Sequence, residues 1–318
     1  MDNLQGIIDY SITLAVLSGT LALFSIGLNL QWGMAGLVNF GHVAFMAMGG
    51  YTTVLLSLQG VPWAIAFLIG AGLSAVLGLL IGLTSIRLRA DYLGIVTIGT
   101  AELLRLLVKN ETPLGWLTRG DFGIQNFPKP FWGMTESSPF GGALPANAYP
   151  LVLFAFLVVV LGITFFLVSW LGRSPWGRVL KAIREDEDVA KALGKNVFAY
   201  KLQAFVLGGV IGGLAGAFYV WHLQTLYPKF FEPEVTFKGW MIVAIGGAGN
   251  NLGVIIGAIV YQLYNSLPRF LPEAIKTSLG GGRVEAIQIM LIGMTLILVM
   301  LWRPQGILGK EEELTLTR

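Results

Sequence analysis

The sequence has no cysteine and only two histidines in 318 residues. Without cysteine there is no disulfide framework, no thiolate metal ligand and no thiol nucleophile. With His42 and His222 as the only imidazoles, no metal site is expected. Charge is also scarce. Charged residues make up 12% of the chain, about half of what soluble domains carry. Residues 1–86 contain no Lys or Arg, so the basic n-region of a cleavable signal is missing. A G-x-x-x-x-G-K-[ST] phosphate loop is absent too, since Gly194-Lys195 runs into Asn196 with no glycine-rich lead-in. Neither H-E-x-x-H nor G-x-S-x-G occurs. The chain is therefore expected to hydrolyse no ATP, to bind no cofactor of its own and not to be an enzyme. Nucleic acid is not an expected partner, and no polar block is long enough to fold as a separate soluble domain.

What is present is apolar surface. The chain is 55% hydrophobic, with a mean hydropathy of +0.71. Nine Trp and nine Tyr suit headgroup-level anchors. Forty-two Gly suit close helix packing in lipid. A bilayer-crossing helix needs about 20 apolar residues, and candidates are Ile8–Leu30, Gly33–Leu56, Pro62–Ile86, Leu93–Val108, Tyr149–Leu171, Leu202–Leu223 and Ile287–Leu301. Phe237–Leu267 is too long for one span, and Gly249-Asn250-Asn251 interrupts it. The expectation is two short helices meeting at an Asn-rich turn.

Basic residues set the orientation. The loop Arg173–Lys201 carries Arg173, Arg178, Lys181, Arg184, Lys191, Lys195 and Lys201. Placed inside, it brings Arg87, Arg89 and the C-terminal Arg303, Lys310 and Arg318 inside as well. The N-terminus and the loop of residues 109–148 fall outside. The fold expected is an all-α polytopic membrane bundle with about nine spans, in a range of roughly eight to ten. Residues 1–318 form one transmembrane domain in a multi-pass plasma membrane protein.

The loop of residues 172–201 carries most of the chemistry. Ser174-Pro175 reads as an N-cap and first-turn pair. Trp176, Val179, Leu180 and Ile183 then recur at helical spacing on one apolar stripe. The pattern breaks at Glu185-Asp186-Glu187-Asp188, where Asp186 caps a second helix with acids in its first turn. Ala190 and Leu193 continue the apolar face, and Gly194 stops it. Two readings stand side by side: a docking element for a protein groove, or an amphipathic element on the inner leaflet. Four acidic residues among seven basic ones argue against anionic lipid.

This loop resembles the cytoplasmic coupling loop of the branched-chain amino acid permease group of ABC importers, with its pattern G-R-x-x-x-A-I-R-E-x-E-x-x-A-x-x-L-G-x-N-x-x-x-Y-K-L. The residues that match are Gly177, Arg178, Ala182, Ile183, Arg184, Glu185, Glu187, Ala190, Leu193, Gly194, Asn196, Tyr200, Lys201 and Leu202. Gly33–Tyr51, Arg87–Arg105, Gly246–Ala258 and Arg303–Gly309 resemble further segments of that family, so the likeness covers nearly the whole chain. It is similar to the M-type member, which pairs with an H-type permease. The resemblance implies a type II-like importer permease in a bacterial inner membrane, with a cytoplasmic C-terminus. It further implies ATPase partner subunits that use ATP and magnesium, and an extracytoplasmic binding protein that delivers substrate. The residues implied in coupling are Arg178, Lys181, Ala182, Arg184, Glu185, Asp186, Glu187, Ala190, Leu193 and Gly194. Branched-chain or neutral amino acids are the implied cargo, with urea or short amides as the rival. The chain departs from the family at Arg119 and Asp121, where small residues are usual, and at Asn250-Asn251. Both departures bear on substrate choice.

Polar groups at membrane depth are candidates for a pathway. Asn29, Asn39, His42, Glu102, Asn250 and Asn251 are those candidates. Each has a structural alternative. Glu102 and Arg105, three apart on one helix face, can simply neutralise each other. Asn39-Phe40-Gly41-His42 can unwind the second span, or His42 can be a hydrogen-bonded interhelical residue. Gly208, Gly209, Gly212, Gly213 and Gly216 are explained by close packing. A gradient-driven carrier with broken helices is the competing class, with Glu102 as its one acid at depth. An intramembrane enzyme has no residues to support it.

Overall fold

The computed structural model describes residues 2–110, 119–131, 149–267 and, in part, 286–309. Among the described residues the architecture is helical except for one two-residue pairing. Helices α1 (Asp2–Asn29), α2 (Val43–Leu58), α3 (Trp63–Ser85) and α4 (Ala90–Lys109) come first. They are followed by β1 (Ile124–Gln125), α5 (Tyr149–Arg173), α6 (Pro175–Glu185), α7 (Glu187–Ala192) and α8 (Val197–Leu223). β2 (Thr225–Leu226), α9 (Glu234–Gly246) and α10 (Asn251–Ser266) complete the order.

Helix α8 is the axis of the bundle, and α1, α2 and α3 pack directly on it. Its glycine face makes this possible, because lipid provides no hydrophobic force between helices and close backbone contact must hold them. At Gly216 a Cβ would lie 1.9 Å from the Met46 carbonyl oxygen of α2. At Gly27 of α1 a Cβ would lie 2.6 Å from the Gly208 carbonyl oxygen. Around these contacts Phe24, Phe45, Phe205, Phe218 and Trp221 are fully buried.

Among the described residues four helices are each long and apolar enough to cross a bilayer: α1 with its following turn, α3, α5 and α8. Their outward faces are apolar, as at Leu68 and Leu80 of α3 and Ile163 and Phe166 of α5. The long segment 237–267 does divide, as its Asn-rich interruption predicts. α9 and α10 meet at 117°, and the Asn250 side chain accepts from the Leu252 and Gly253 amides as the cap of α10. The second expected span needs correction. Gly33–Leu56 is not one helix: residues 35–42 are irregular, and α2 starts only at Val43. Its 16 residues cover about 24 Å at 1.5 Å per residue, short of the ~30 Å hydrocarbon core. The expected last span, Ile287–Leu301, is described only in part, its described residues being helical, and much of the 109–148 loop lies outside the described residues.

The two ends differ. One end, the basic end, carries α6, α7 and the α9–α10 turn, and Arg87 lies over the Phe198 ring there. At the opposite end β1 pairs antiparallel with β2, Ile124 opposite Leu226, and ties the 119–131 segment to the end of α8.

Candidate functional site

The interruption before α2 is tied by hydrogen bonds to several other elements. After α1 the chain tightens into a π turn, Leu30–Met34. It then reverses at Gly36, whose φ of +70° suits glycine. Irregular backbone at membrane depth survives only against protein or a cavity, and here partners are supplied one by one. Asn39 donates to Gln31 at 2.8 Å, and Gln31 donates to the Phe205 carbonyl of α8 at 2.8 Å. The Phe40 amide reaches Thr97 of α4 at 3.1 Å. The Val43 amide reaches Thr236 of α9 at 3.0 Å. Trp240 donates to the Asn39 carbonyl at 3.0 Å. Gln31 and Thr236, both fully buried, are functional neighbours that sequence reading missed. Gln31 alone left a signal, as an amide inside an apolar run.

Asn29 and Asn251 are brought together. Asn29 donates to Asn251 at 2.9 Å and accepts from the Gly249 amide at 2.8 Å, so the end of α1 is pinned to the α9–α10 turn. Asn250 stands apart, donating to the Leu308 carbonyl at 2.7 Å. His42 is fully buried, with Phe24 and Phe45 rings 4.7 and 5.5 Å away. Its Nε2 lies against Gly27 and Gly212, and the Phe24 backbone of α1 bears on the ring. His42 is thus an interhelical residue packed by ring faces and glycine backbone. Of the six pathway candidates, Asn39 and His42 thus fill the interior of the interruption, Asn29 ties it to the α9–α10 turn, and Asn250 and Asn251 line a pocket at that turn.

Glu102 and Arg105 lie on α4 toward the β1–β2 end. Arg105 grips Glu102 through two bonds, Nε to Oε2 at 2.8 Å and Nη2 to Oε1 at 2.5 Å. Beside the pair, between α2 and α4, is a pocket of about 60 Å³ lined by Ala44, Ala47, Met48, Tyr51, Leu104 and Arg105 and closed by Pro228 and Phe231. The Tyr51 hydroxyl is buried without a hydrogen-bond partner. Above the pocket Lys109 stands 3.5 Å from Asp121, and Asp121 and Glu232 also act electrostatically on Arg105.

At the basic end the loop folds as its pattern dictates. Ser174 accepts from the Gly177 amide, and Asp186 accepts from Asp188 and Val189. Gly194, at φ +74°, turns the chain. The apolar stripe of α6 faces inward: Leu180 and Ile183 are buried, and Ala190 of α7 packs with Ile183 and Val197. Outward lie Arg178, Ala182, Glu185, Asp188, Val189 and Leu193, the last 73% exposed. The expected single apolar face therefore splits. Ala190 anchors α7, while Leu193 points to solvent together with Val189, which sequence reading passed over. Glu187 is tied to Lys201 and, at 3.1 Å, to Lys191. Burial raises its pKa, but the two lysines outweigh that and hold it below the usual carboxylate range. Arg184 turns back into the bundle, donating to the Gly33 carbonyl with its stem beneath Gly36. Lys181, with Arg173, lines a pocket beside Gly249, Asn250 and Asn251.

Among the described residues no group of three or more His, Asp or Glu is placed to hold a metal.

The profile of the family described as "Branched-chain amino acid transport system / permease component" matches residues 10–300. The chain is 32% identical over 314 residues to the high-affinity branched-chain amino acid transport system permease protein LivM of Escherichia coli, covering 94% of this chain and 70% of that one. The LivM of Salmonella typhimurium is 30% identical over 312 residues, with the same shares covered. A probable branched-chain amino acid transport permease protein LivM of Methanocaldococcus jannaschii is 28% identical over 335 residues, 93% of this chain and 92% of that one. No solved structure matches the chain.

Proposed function

The chain belongs to the family of branched-chain amino acid transport permeases, and from that premise we propose how it works as a pore subunit of an ABC importer. As a permease it is a transport component and not an enzyme. Its cargo is a branched-chain amino acid, delivered by an extracytoplasmic binding protein to the β1–β2 end. The basic end is cytoplasmic by the positive-inside rule, and the C-terminus lies there too. The bundle makes about nine crossings, one of them the interrupted 35–58 segment. ATP and magnesium act in separate ATPase subunits, and a second, H-type permease completes the pore.

The observation that carries this reading is the helix pair α6–α7. It offers Val189 and Leu193 outward amid Arg178, Glu185 and Asp188, and it reaches inward through Arg184 to the interruption before α2. A partner that moves α6 and α7 therefore pulls on the one stretch of described transmembrane backbone that is not a regular helix. Docking on protein rather than on lipid fits the acids on that face, which anionic headgroups would repel. The rival carrier reading needs a titratable acid at depth, and Glu102 is already neutralised by Arg105.

Mild-detergent purification of the tagged chain, with mass spectrometry of what accompanies it, tests the proposal. An ATPase and a second permease are expected. A clean homo-oligomer, in detergent that preserves a known importer, refutes it.

A further inference from the structure

The pocket between α2 and α4 is the feature that packing leaves unexplained. Its walls are apolar apart from Arg105 and Tyr51. At about 60 Å³ it has room for roughly four to six water-sized or methyl-sized groups, at the ~10–15 Å³ each requires. That matches the three or four carbons of a branched aliphatic side chain. Arg105 lines its edge and is bonded to Glu102, which lies one turn back on α4 outside the lining. Ionisable groups inside a membrane face a bundle interior or a water-filled cavity.

The geometry of the pair leaves capacity on both partners. Glu102 uses Nε and Nη2 of the guanidinium, and Nη1 makes no hydrogen bond among the described residues. A carboxylate has about four lone-pair sites, and Glu102 spends two on Arg105. Its side chain keeps 37% exposure, against 15% for Arg105. An α-ammonium and an α-carboxylate can therefore add across the pair, each meeting its opposite, without breaking the bond that holds Arg105 in place. Tyr51 stands in the pocket wall, its hydroxyl buried without a hydrogen-bond partner among the described residues.

Building on the importer reading above, we propose that this pocket is a substrate subsite. The side chain of a branched aliphatic amino acid enters between Ala47, Met48 and Leu104, and the zwitterionic head lies on Arg105 and Glu102. The subsite sits at the end of the bundle where β1 and β2 pair, the end that receives substrate under that reading. Pocket size selects the side chain, and the ion pair selects an α-amino acid over a neutral amide. Selectivity is thus written into this chain as well as into whatever delivers the substrate.

The test uses the importer purified with its partners, reconstituted in vesicles, with labelled leucine and valine supplied through the same binding protein so that upstream preference cancels. Ala47→Leu fills the pocket. It is expected to lower the leucine-to-valine uptake ratio about tenfold, since a single methylene in an apolar pocket is worth roughly 10- to 200-fold. Met48→Ala enlarges the pocket and is expected to shift the ratio the other way and admit phenylalanine. Arg105→Gln is expected to raise the leucine KM roughly tenfold, with partial recovery in Arg105→Lys. Parallel loss of leucine and valine uptake in both pocket variants, or an unchanged ratio, overturns the subsite. A wild-type complex that carries no branched-chain amino acid at all refutes instead the reading on which the subsite rests.

Discussion

Removing the Arg184 guanidinium should separate ATP hydrolysis from transport without detaching the ATPase. In the structure Arg184 leaves the α6 surface, runs under Gly36 and donates to the Gly33 carbonyl. A hydrogen bond from a charged group contributes about 1.5–3 kcal/mol. Arg184→Ala should therefore weaken the hold of α6 on the interruption by about 2 kcal/mol, or roughly thirtyfold at 1.36 kcal/mol per decade. Overall folding should survive, because Leu180 and Ile183 still bury the inner face of α6. The assay measures ATP hydrolysis and leucine uptake on the same vesicles, with co-purified ATPase quantified beforehand. The expected result is normal ATPase recovery, continued hydrolysis and uptake reduced by an order of magnitude or more. Arg184→Lys, which restores one donor but not the planar fork, should fall between. Normal coupled uptake by an abundant Arg184→Ala variant would refute the link. So would loss of ATPase binding, because Arg184 would then be a contact for the partner rather than a tether inside the chain.

Other expectations follow from the same geometry. Leu193→Asp with Val189→Asp places charge on the exposed patch of α7 and should abolish ATPase co-purification while leaving membrane insertion and monomer stability intact. Gly216→Leu forces side-chain atoms onto a carbonyl that a Cβ alone would approach to 1.9 Å; it should cost more than the ~1–3 kcal/mol of ordinary overpacking and appear as lost expression or a strongly lowered melting temperature in detergent. Glu187 is bound by Lys191 and Lys201, and its folded pKa is depressed. Its stabilisation should be complete above the unfolded value of about 4.3 and fade as pH falls through the lower folded value. Protease nicking of the 186–196 segment should therefore be flat from neutral pH down to about 5 and rise only in stronger acid. In Glu187→Gln it should already be raised at neutral pH, and the difference from wild type should close in strong acid.

Elements whose signals are local were legible in the sequence. The caps at Ser174 and Asp186, the stop at Gly194 and the turn at Asn250 each depend on a side chain and the next few amides, and each appears where its residues stand. The glycine face of α8 was legible for the same reason, since spacing alone states it. Two things were not. Hydropathy averages over a window and ran one span across residues 35–42; the run Asn39-Phe40-Gly41-His42 offered the unwinding seen there, but not the partners Gln31, Thr97 and Thr236 that hold it from three other places in the chain. Periodicity gave the α7 face only to within a turn. A six-residue helix after a bend at Asp186 need not continue the stripe of α6, and Ala190 and Leu193 consequently point opposite ways.

Those two failures share a cause that bears on mechanism. A segment can be irregular inside a membrane only if distant residues supply its hydrogen bonds, so the 35–42 stretch is defined by α4, α8 and α9 together and by no local rule. Its bonds to Thr97, Thr236 and Trp240 are all single and neutral, each contributing about 0.5–1.5 kcal/mol net. Against them stands the charge-assisted bond from Arg184. The three neutral bonds together, about 1.5–4.5 kcal/mol, are comparable with the one that holds Gly33, about 1.5–3 kcal/mol, so α6 grips the start of the interruption about as firmly as α4 and α9 grip its end. Under the importer reading, a displacement of α6 should drag residues 33–36 before it disturbs the glycine-locked contacts between α2 and α8. Motion then enters the bundle at a place where shifting the backbone breaks no helix, and α2, whose first half lines the proposed subsite, moves as a rigid piece at the end of that lever.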